Sequence, residues 1–68
     1  MDVYIVNKIA QETGEHEIHK TSCNFLPGVE ERTPIGIFET CHEAIGKAKE
    51  FYDNVDGCKY CCPECHNR

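Results

Sequence analysis

The pattern of apolar and polar positions at the start of the chain predicts a β-hairpin. Residues 3–6 are β-branched or aromatic, which favours a strand. Residues 15–18 alternate, though imperfectly, between polar and apolar side chains. Between these segments lies Gly14, which can adopt the positive φ angle that a tight turn requires. Residues 2–19 are therefore predicted to form two antiparallel strands.

The second half of the pattern predicts a third strand and one helix. Residues 35–38 are mostly apolar and are predicted to form a short strand. Thr40 and Glu43 have the spacing of a capping box, in which each side chain satisfies a free amide at the start of a helix. Apolar side chains then recur at helical spacing, which predicts a helix over about residues 41–52, ended by residues 53–57. The expected fold class is a small α+β domain.

Composition adds a reason to expect a cross-link. A chain of 68 residues forms a single domain, residues 1–68, and buries only about 60% of its unfolded surface. Six cysteines therefore indicate a staple, either disulfides or a metal. The N-terminal apolar run is too short for a signal peptide, and no stretch approaches the roughly 20 apolar residues of a membrane span. We therefore expect a cytoplasmic protein without a membrane partner, whose reduced thiols bind metal.

Histidine and cysteine occur in short pairs that are typical of zinc sites. His19 and Cys23 form H-x₃-C, and Cys58 and Cys61 form C-x-x-C. Two such pairs separated by a helix-containing segment predict one closed tetrahedral site that holds a single structural zinc ion. Iron also suits tetrahedral sulfur ligands and stays open as the alternative metal. Strand alternation places His19 on the face of Glu17, so the metal lies on that polar face unless the strand ends earlier.

The C-terminal segment offers further donors as alternates. Cys62 and Cys65 form a second C-x-x-C, which is followed by His66. The side chains of Cys61 and Cys62 should point apart, so only one of them is expected to join the site, and Cys62 is then a spare or buried thiol. Cys65 and His66 are a spare ligand pair. Cys41 lies on the apolar helix face and is predicted to be a core residue.

The layout of residues 19–63 resembles that of Ada-like metal-binding domains, which occur in the bacterial DNA alkylation-repair protein Ada and in modules attached to some nucleases. The most specific part is Gly-Cys-Lys-x-Cys-x-Pro at residues 57–63. The resemblance implies a small α+β unit with one structural zinc and with these ligands: His19, Cys23, Cys58 and Cys61. In the repair protein the first ligand is a cysteine that accepts a methyl group from DNA. Here that position is His19, so the resemblance implies the fold and the metal without methyl transfer.

Charge and catalytic groups narrow the functional classes. The formal net charge is −5, and no basic run is present, so we expect no tight binding of duplex nucleic acid. A catalytic zinc needs an open position and a nearby base. Glu64 is the only carboxylate within the C-terminal cysteine cluster, and this is too little to predict an enzyme.

The predicted function is therefore a structural zinc module that binds another protein or serves as an accessory domain. Residues 24–36, which include two prolines, are predicted to form a loop tethered at Cys23. Its apolar side chains either form a binding surface or cover a thin core; they are Phe25, Leu26 and Val29. Three alternatives stay open: a thiol-redox or metal-handling protein that uses the C-terminal cysteines, an Ada-like nucleic-acid-associated module, and a secreted disulfide scaffold.

Overall fold

The computed structural model describes residues 1–67 as a four-stranded mixed sheet with one helix packed on one face, which confirms the α+β class. Along the chain the elements are β1 (Asp2–Asn7), β2 (His16–Lys20), a 3₁₀ turn (Val29–Glu31), β3 (Arg32–Phe38), α1 (Cys41–Ala48), β4 (Val55–Gly57) and a second 3₁₀ turn (Pro63–Cys65). The sheet order is β3-β1-β2-β4. No helix in this described part of the chain is long and apolar enough to cross a membrane.

The predicted N-terminal hairpin is confirmed. Strands β1 and β2 pair antiparallel, with Ile5 opposite His19. In the connection Gly14 adopts a φ of 99° and donates its N–H to the Gln11 carbonyl at 2.8 Å. A residue with a side chain would be strained at that φ angle, so the hairpin connection depends on glycine.

The two faces of the sheet have different roles. Tyr4, Val6 and Ile18 belong to the core cluster that includes the helix residues. The pleat directs alternate side chains to opposite faces, so Ile5 and His19 lie on the other face. Both are nearly fully buried, with exposed fractions of 4% and 3%. The second face is therefore also covered around His19, and this is where the candidate site lies.

Strand β3 is longer than predicted, because residues 32–36 of the predicted loop pair with β1. The sequence suggested a loop because Pro34 cannot donate a ladder hydrogen bond. Strand β3 is at the edge of the sheet and has β1 as its only described neighbour, so the missing N–H is tolerated. The pairing register shifts between Tyr4 and Ile5, close to Gly36, whose φ is 129°.

Helix α1 begins as predicted and ends about four residues early. Glu43 N–H donates to Thr40 Oγ1, and Thr40 N–H donates to Glu43 Oε1, both at 3.2 Å. The capping box is thus confirmed. The regular helix ends at Ala48, where the Phe51 N–H donates to a carbonyl three residues earlier and tightens the last turn. Phe51, an apolar position of the predicted helix, lies beyond the regular helix and is 51% exposed.

Strand β4 was missed by the sequence pattern, which indicated only a helix end over residues 53–57. It contains Asp56 and is three residues long, so its composition carries little strand signal. It pairs parallel with β2, and the Cys58 N–H extends the pairing by donating to the Ile18 carbonyl at 3.1 Å. This pairing places Cys58 beside the end of β2, where His19 lies.

A disulfide joins Cys41 at the start of α1 to Cys65 in the second 3₁₀ turn. Cys41 is buried, as predicted, but it is not a free thiol. Cys65 is likewise not available as an alternate metal ligand in this state. The sequence interpretation missed the bond because it assigned the C-terminal cysteines by their spacing, whereas the fold brings together residues that are 24 positions apart.

Candidate metal centre

The structure brings His19, Cys23, Cys58 and Cys61 together. One ligand atom from each lies within 4.8 Å of the other three, and His19 and Cys58 are buried. His19 comes from β2 and Cys23 from the turn that follows it. The other two thiols come from the segment between β4 and the second 3₁₀ turn. Two neighbouring chain segments therefore each supply a pair of donors, and this group can hold a metal ion.

The spacing of two sulfurs matches a shared tetrahedral ion. The Sγ atoms of Cys23 and Cys58 are 3.8 Å apart. Two sulfurs bonded to one tetrahedral zinc at about 2.3 Å would also lie about 3.8 Å apart. Cys23 and Cys58 are 35 residues apart in sequence, so this spacing is a property of the tertiary fold.

The two ligand-bearing turns repeat one hydrogen-bond arrangement. The Phe25 N–H donates to Cys23 Sγ at 3.3 Å, and the Tyr60 N–H donates to Cys58 Sγ at 3.4 Å. In both turns the donor lies two residues after the cysteine. A backbone N–H directed at sulfur favours its thiolate form, which is the form that binds metal. Both turns therefore present sulfur in a way that suits a metal ligand.

The sulfur of Cys61 also accepts a backbone hydrogen bond, but its donor lies in strand β2. Cys61 Sγ accepts the Lys20 N–H at 3.3 Å, so each of the three sulfurs in the group accepts a backbone N–H. Burial raises the pKa of the Cys61 thiol, and the Lys20 N–H opposes that shift. A bound cation would reverse this balance, because a coordinated thiol loses its proton.

His19 has one ring nitrogen without a partner. Its Nδ1 is buried and has no hydrogen-bond partner among residues 1–67. Its Nε2 lies 3.6 Å from Glu17 Oε1, on the same face of β2. Burial lowers the pKa of His19, and the positive charge of Arg32 lowers it further, so both favour the neutral imidazole. A neutral imidazole that binds metal through one nitrogen while the other faces a carboxylate is a common arrangement in metal sites.

The alternate donors lie outside this group. Cys62 is buried, as predicted for a spare thiol. The prediction that its side chain points away from that of Cys61 is wrong, because the two Sγ atoms lie 3.7 Å apart. Burial raises the pKa of Cys62. His66 instead directs Nδ1 to the Gly57 carbonyl at 3.0 Å and clusters with two carboxylates. These residues were predicted only as alternates, and the four residues predicted first are the ones that converge.

Two aromatic rings project beside the site. Phe25 and Tyr60 stack with ring centroids 4.1 Å apart, although their side chains are 58% and 62% exposed. Val29 is also exposed and Leu26 is half-buried, so the segment 24–29 does not simply cover the core. An open cavity of about 430 Å³ borders both rings together with His19 and Cys58.

No protein-family model, curated protein or solved structure matches the chain. Four protein donors would fill a tetrahedral coordination shell and leave no position for a substrate, which is the plan of a structural site. A metal ion held by these four residues would cross-link β2 and its following turn to the segment after β4.

Proposed function

We propose that this protein is a small zinc module whose single structural ion is held by His19, Cys23, Cys58 and Cys61. The observation that carries the proposal is the convergence of His19, which has an unpartnered, buried ring nitrogen, with three sulfurs that each accept a backbone N–H. An ion bound through His19 Nδ1 would give that nitrogen a partner. It would also be coordinated by the three sulfurs, whose thiolate form the backbone N–H groups favour. Its binding would contribute directly to the stability of a domain with a thin core.

The donor set favours zinc over iron. Three cysteines and one histidine are a usual ligand set of structural zinc sites. Iron–sulfur centres instead rely mostly on cysteine ligands alone. The four-ligand shell also supports a structural role over catalysis, because it offers no open position to a substrate or water.

We expect about one equivalent of zinc per chain. Protein produced in ordinary medium should carry this zinc through gel filtration, and elemental analysis for zinc and iron measures it directly. Intact mass under native and denaturing conditions then separates bound metal from the loss of two hydrogens at the disulfide. Folded protein with neither metal, or with iron in place of zinc, would contradict the assignment.

We further propose that the zinc fixes a protein-binding surface formed by Phe25, Tyr60 and the adjoining cavity. Each ring lies two residues after a proposed ligand, so the metal would restrain both turns. Loops often carry function on a rigid scaffold, and a restrained loop loses less entropy on binding. Exposed aromatic side chains are also frequent anchors of protein interfaces.

Replacing both Phe25 and Tyr60 with serine is expected to abolish binding of a protein partner while zinc content and thermal stability stay nearly unchanged. A partner identified by crosslinking to the wild-type protein would be titrated against the variant by calorimetry. Phe51→Ser is the matched control, since Phe51 is also an exposed aromatic residue but lies at the end of α1. Equal losses in the control and the double variant would argue against this surface.

A thiol-redox function is the second candidate, and the Cys41–Cys65 disulfide is the observation that favours it. Against it, burial raises the pKa of both Cys61 and Cys62, whereas reactive thiols usually have lowered pKa values. The disulfide also opposes the predicted cytoplasmic location, where thiols are kept reduced. The Ada-like nucleic-acid role rests on the sequence resemblance alone, and the net charge of −5 opposes it.

A further inference from the structure

We propose a second cation site, formed by Glu17, Asp56 and His66, that takes a divalent transition cation with oxygen and nitrogen ligands. One ligand atom from each residue lies within 4.8 Å of the other two. The site shares no ligand residue with the thiol group, although Glu17 also lies 3.6 Å from His19 Nε2. It therefore adds a second binding activity to the proposed zinc module.

The sheet itself positions two of these side chains. Glu17 in β2 and Asp56 in β4 are register partners in the parallel pairing, so their carboxylates are neighbours on adjacent strands. His66 follows the second 3₁₀ turn and brings its Nδ1 to 3.3 Å from Asp56 Oδ2. Three separate parts of the chain thus direct charged or polar groups to one point.

Asp56 supplies the observation that points to a ligand. Its side chain is nearly fully buried, with 2% of the residue exposed. Oδ1 accepts the Asn67 N–H at 2.7 Å, whereas Oδ2 has no hydrogen-bond partner within the described residues. Leaving one oxygen of a buried carboxylate unsatisfied costs free energy, and charged groups cost more than neutral ones.

His66 Nδ1 faces a second acceptor besides Asp56 Oδ2. The same Nδ1 lies 3.0 Å from the Gly57 carbonyl, which is positioned to accept its single proton. Two acceptors therefore compete for one N–H. A cation in place of that proton could be shared by the ring nitrogen, Asp56 Oδ2 and the Gly57 carbonyl, and could draw in the Glu17 carboxylate as well.

The donors and the surroundings define the chemical class of the cation. Carboxylate and carbonyl oxygens suit Mn²⁺, and the absence of a thiolate among these donors disfavours Cu⁺. The cation would also offset the repulsion between two adjacent carboxylates. Glu17 and His66 border the open cavity of about 430 Å³, so an ion can reach the site from solvent.

The test is a titration of the purified full chain with Mn²⁺, followed by electron paramagnetic resonance of the free ion, with zinc content measured in the same samples. Mn²⁺ is the weakest binder of the first-row series, so it should not displace zinc from the thiolates. We expect one Mn²⁺ per chain. Asp56→Asn keeps an oxygen for the Asn67 N–H and should weaken Mn²⁺ binding by at least about tenfold.

Two further variants keep the test decisive. His66→Ala removes a half-buried ring and gives the expected loss even if the substitution at buried Asp56 prevents folding. Asp53→Asn removes the same charge from an exposed position three residues before Asp56 and should leave Mn²⁺ affinity unchanged. No binding by the wild-type chain, unchanged binding in His66→Ala, or equal weakening in Asp53→Asn would each overturn the second site. Zinc content reports separately on the thiol group.

Discussion

Replacing Cys58 with serine is expected to release the metal and to unfold most of the domain. Cys58 is buried, joins β4 to β2 through its N–H, and places its sulfur 3.8 Å from that of Cys23. Structural zinc contributes roughly 10–16 kcal/mol of apparent binding free energy in small domains, which exceeds the stability of most domains of this size. Loss of amide dispersion in a two-dimensional NMR spectrum, together with elemental analysis, measures both effects.

Cys62→Ala is the matched control for that experiment. Cys62 is also a buried cysteine of the same segment, but its sulfur lies outside the converging group. Its replacement should retain the zinc and lower the free energy of unfolding by only about 1–3 kcal/mol, as a small core truncation. Release of zinc by Cys62→Ala, with retention in Cys58→Ser, would show that the ligand assignment is wrong.

Removing the disulfide with the double variant Cys41→Ala, Cys65→Ala is expected to lower the free energy of unfolding by about 3 kcal/mol. The bond closes a loop between residues 24 positions apart, and a cross-link of that span stabilises mainly by restricting the unfolded chain. Urea denaturation of zinc-saturated protein without reductant measures the difference. The variant should still bind one zinc, because neither cysteine belongs to the converging group.

The reduced wild-type protein provides the control for the double variant. With a dithiol reductant present, its free energy of unfolding should fall towards that of the variant, since both then lack the cross-link. The variant itself should not respond to the reductant. Equal stability of the oxidised wild-type protein and the variant would mean that the bond adds nothing to folding.

The parts of the fold that were predicted correctly depend on local signals. The hairpin follows from a β-branched segment and Gly14, and the start of α1 from the reciprocal hydrogen bonds of Thr40 and Glu43. The convergence of the four predicted donors also agrees with short-range spacing, since each pair lies within one short segment of the chain. Strand alternation correctly placed His19 on the face of Glu17.

The parts that were missed depend on partners distant in sequence. Strand β4 has little strand propensity and exists because β2 offers it a free edge. The Cys41–Cys65 bond and the Glu17, Asp56 and His66 cluster depend in turn on where β4 directs the C-terminal segment. A single sequence without tertiary contacts gives no means of choosing which cysteine joins which partner.

The two cross-links overlap along the chain, and this affects what a protease could release. The proposed zinc joins Cys23 to Cys58, while the disulfide begins at Cys41, inside that span, and ends at Cys65, outside it. A single backbone cut between residues 24 and 64 would therefore leave the two fragments joined by the ion, the disulfide or both. Nicked protein would migrate as one species, and only chelation, reduction or both together would separate the pieces.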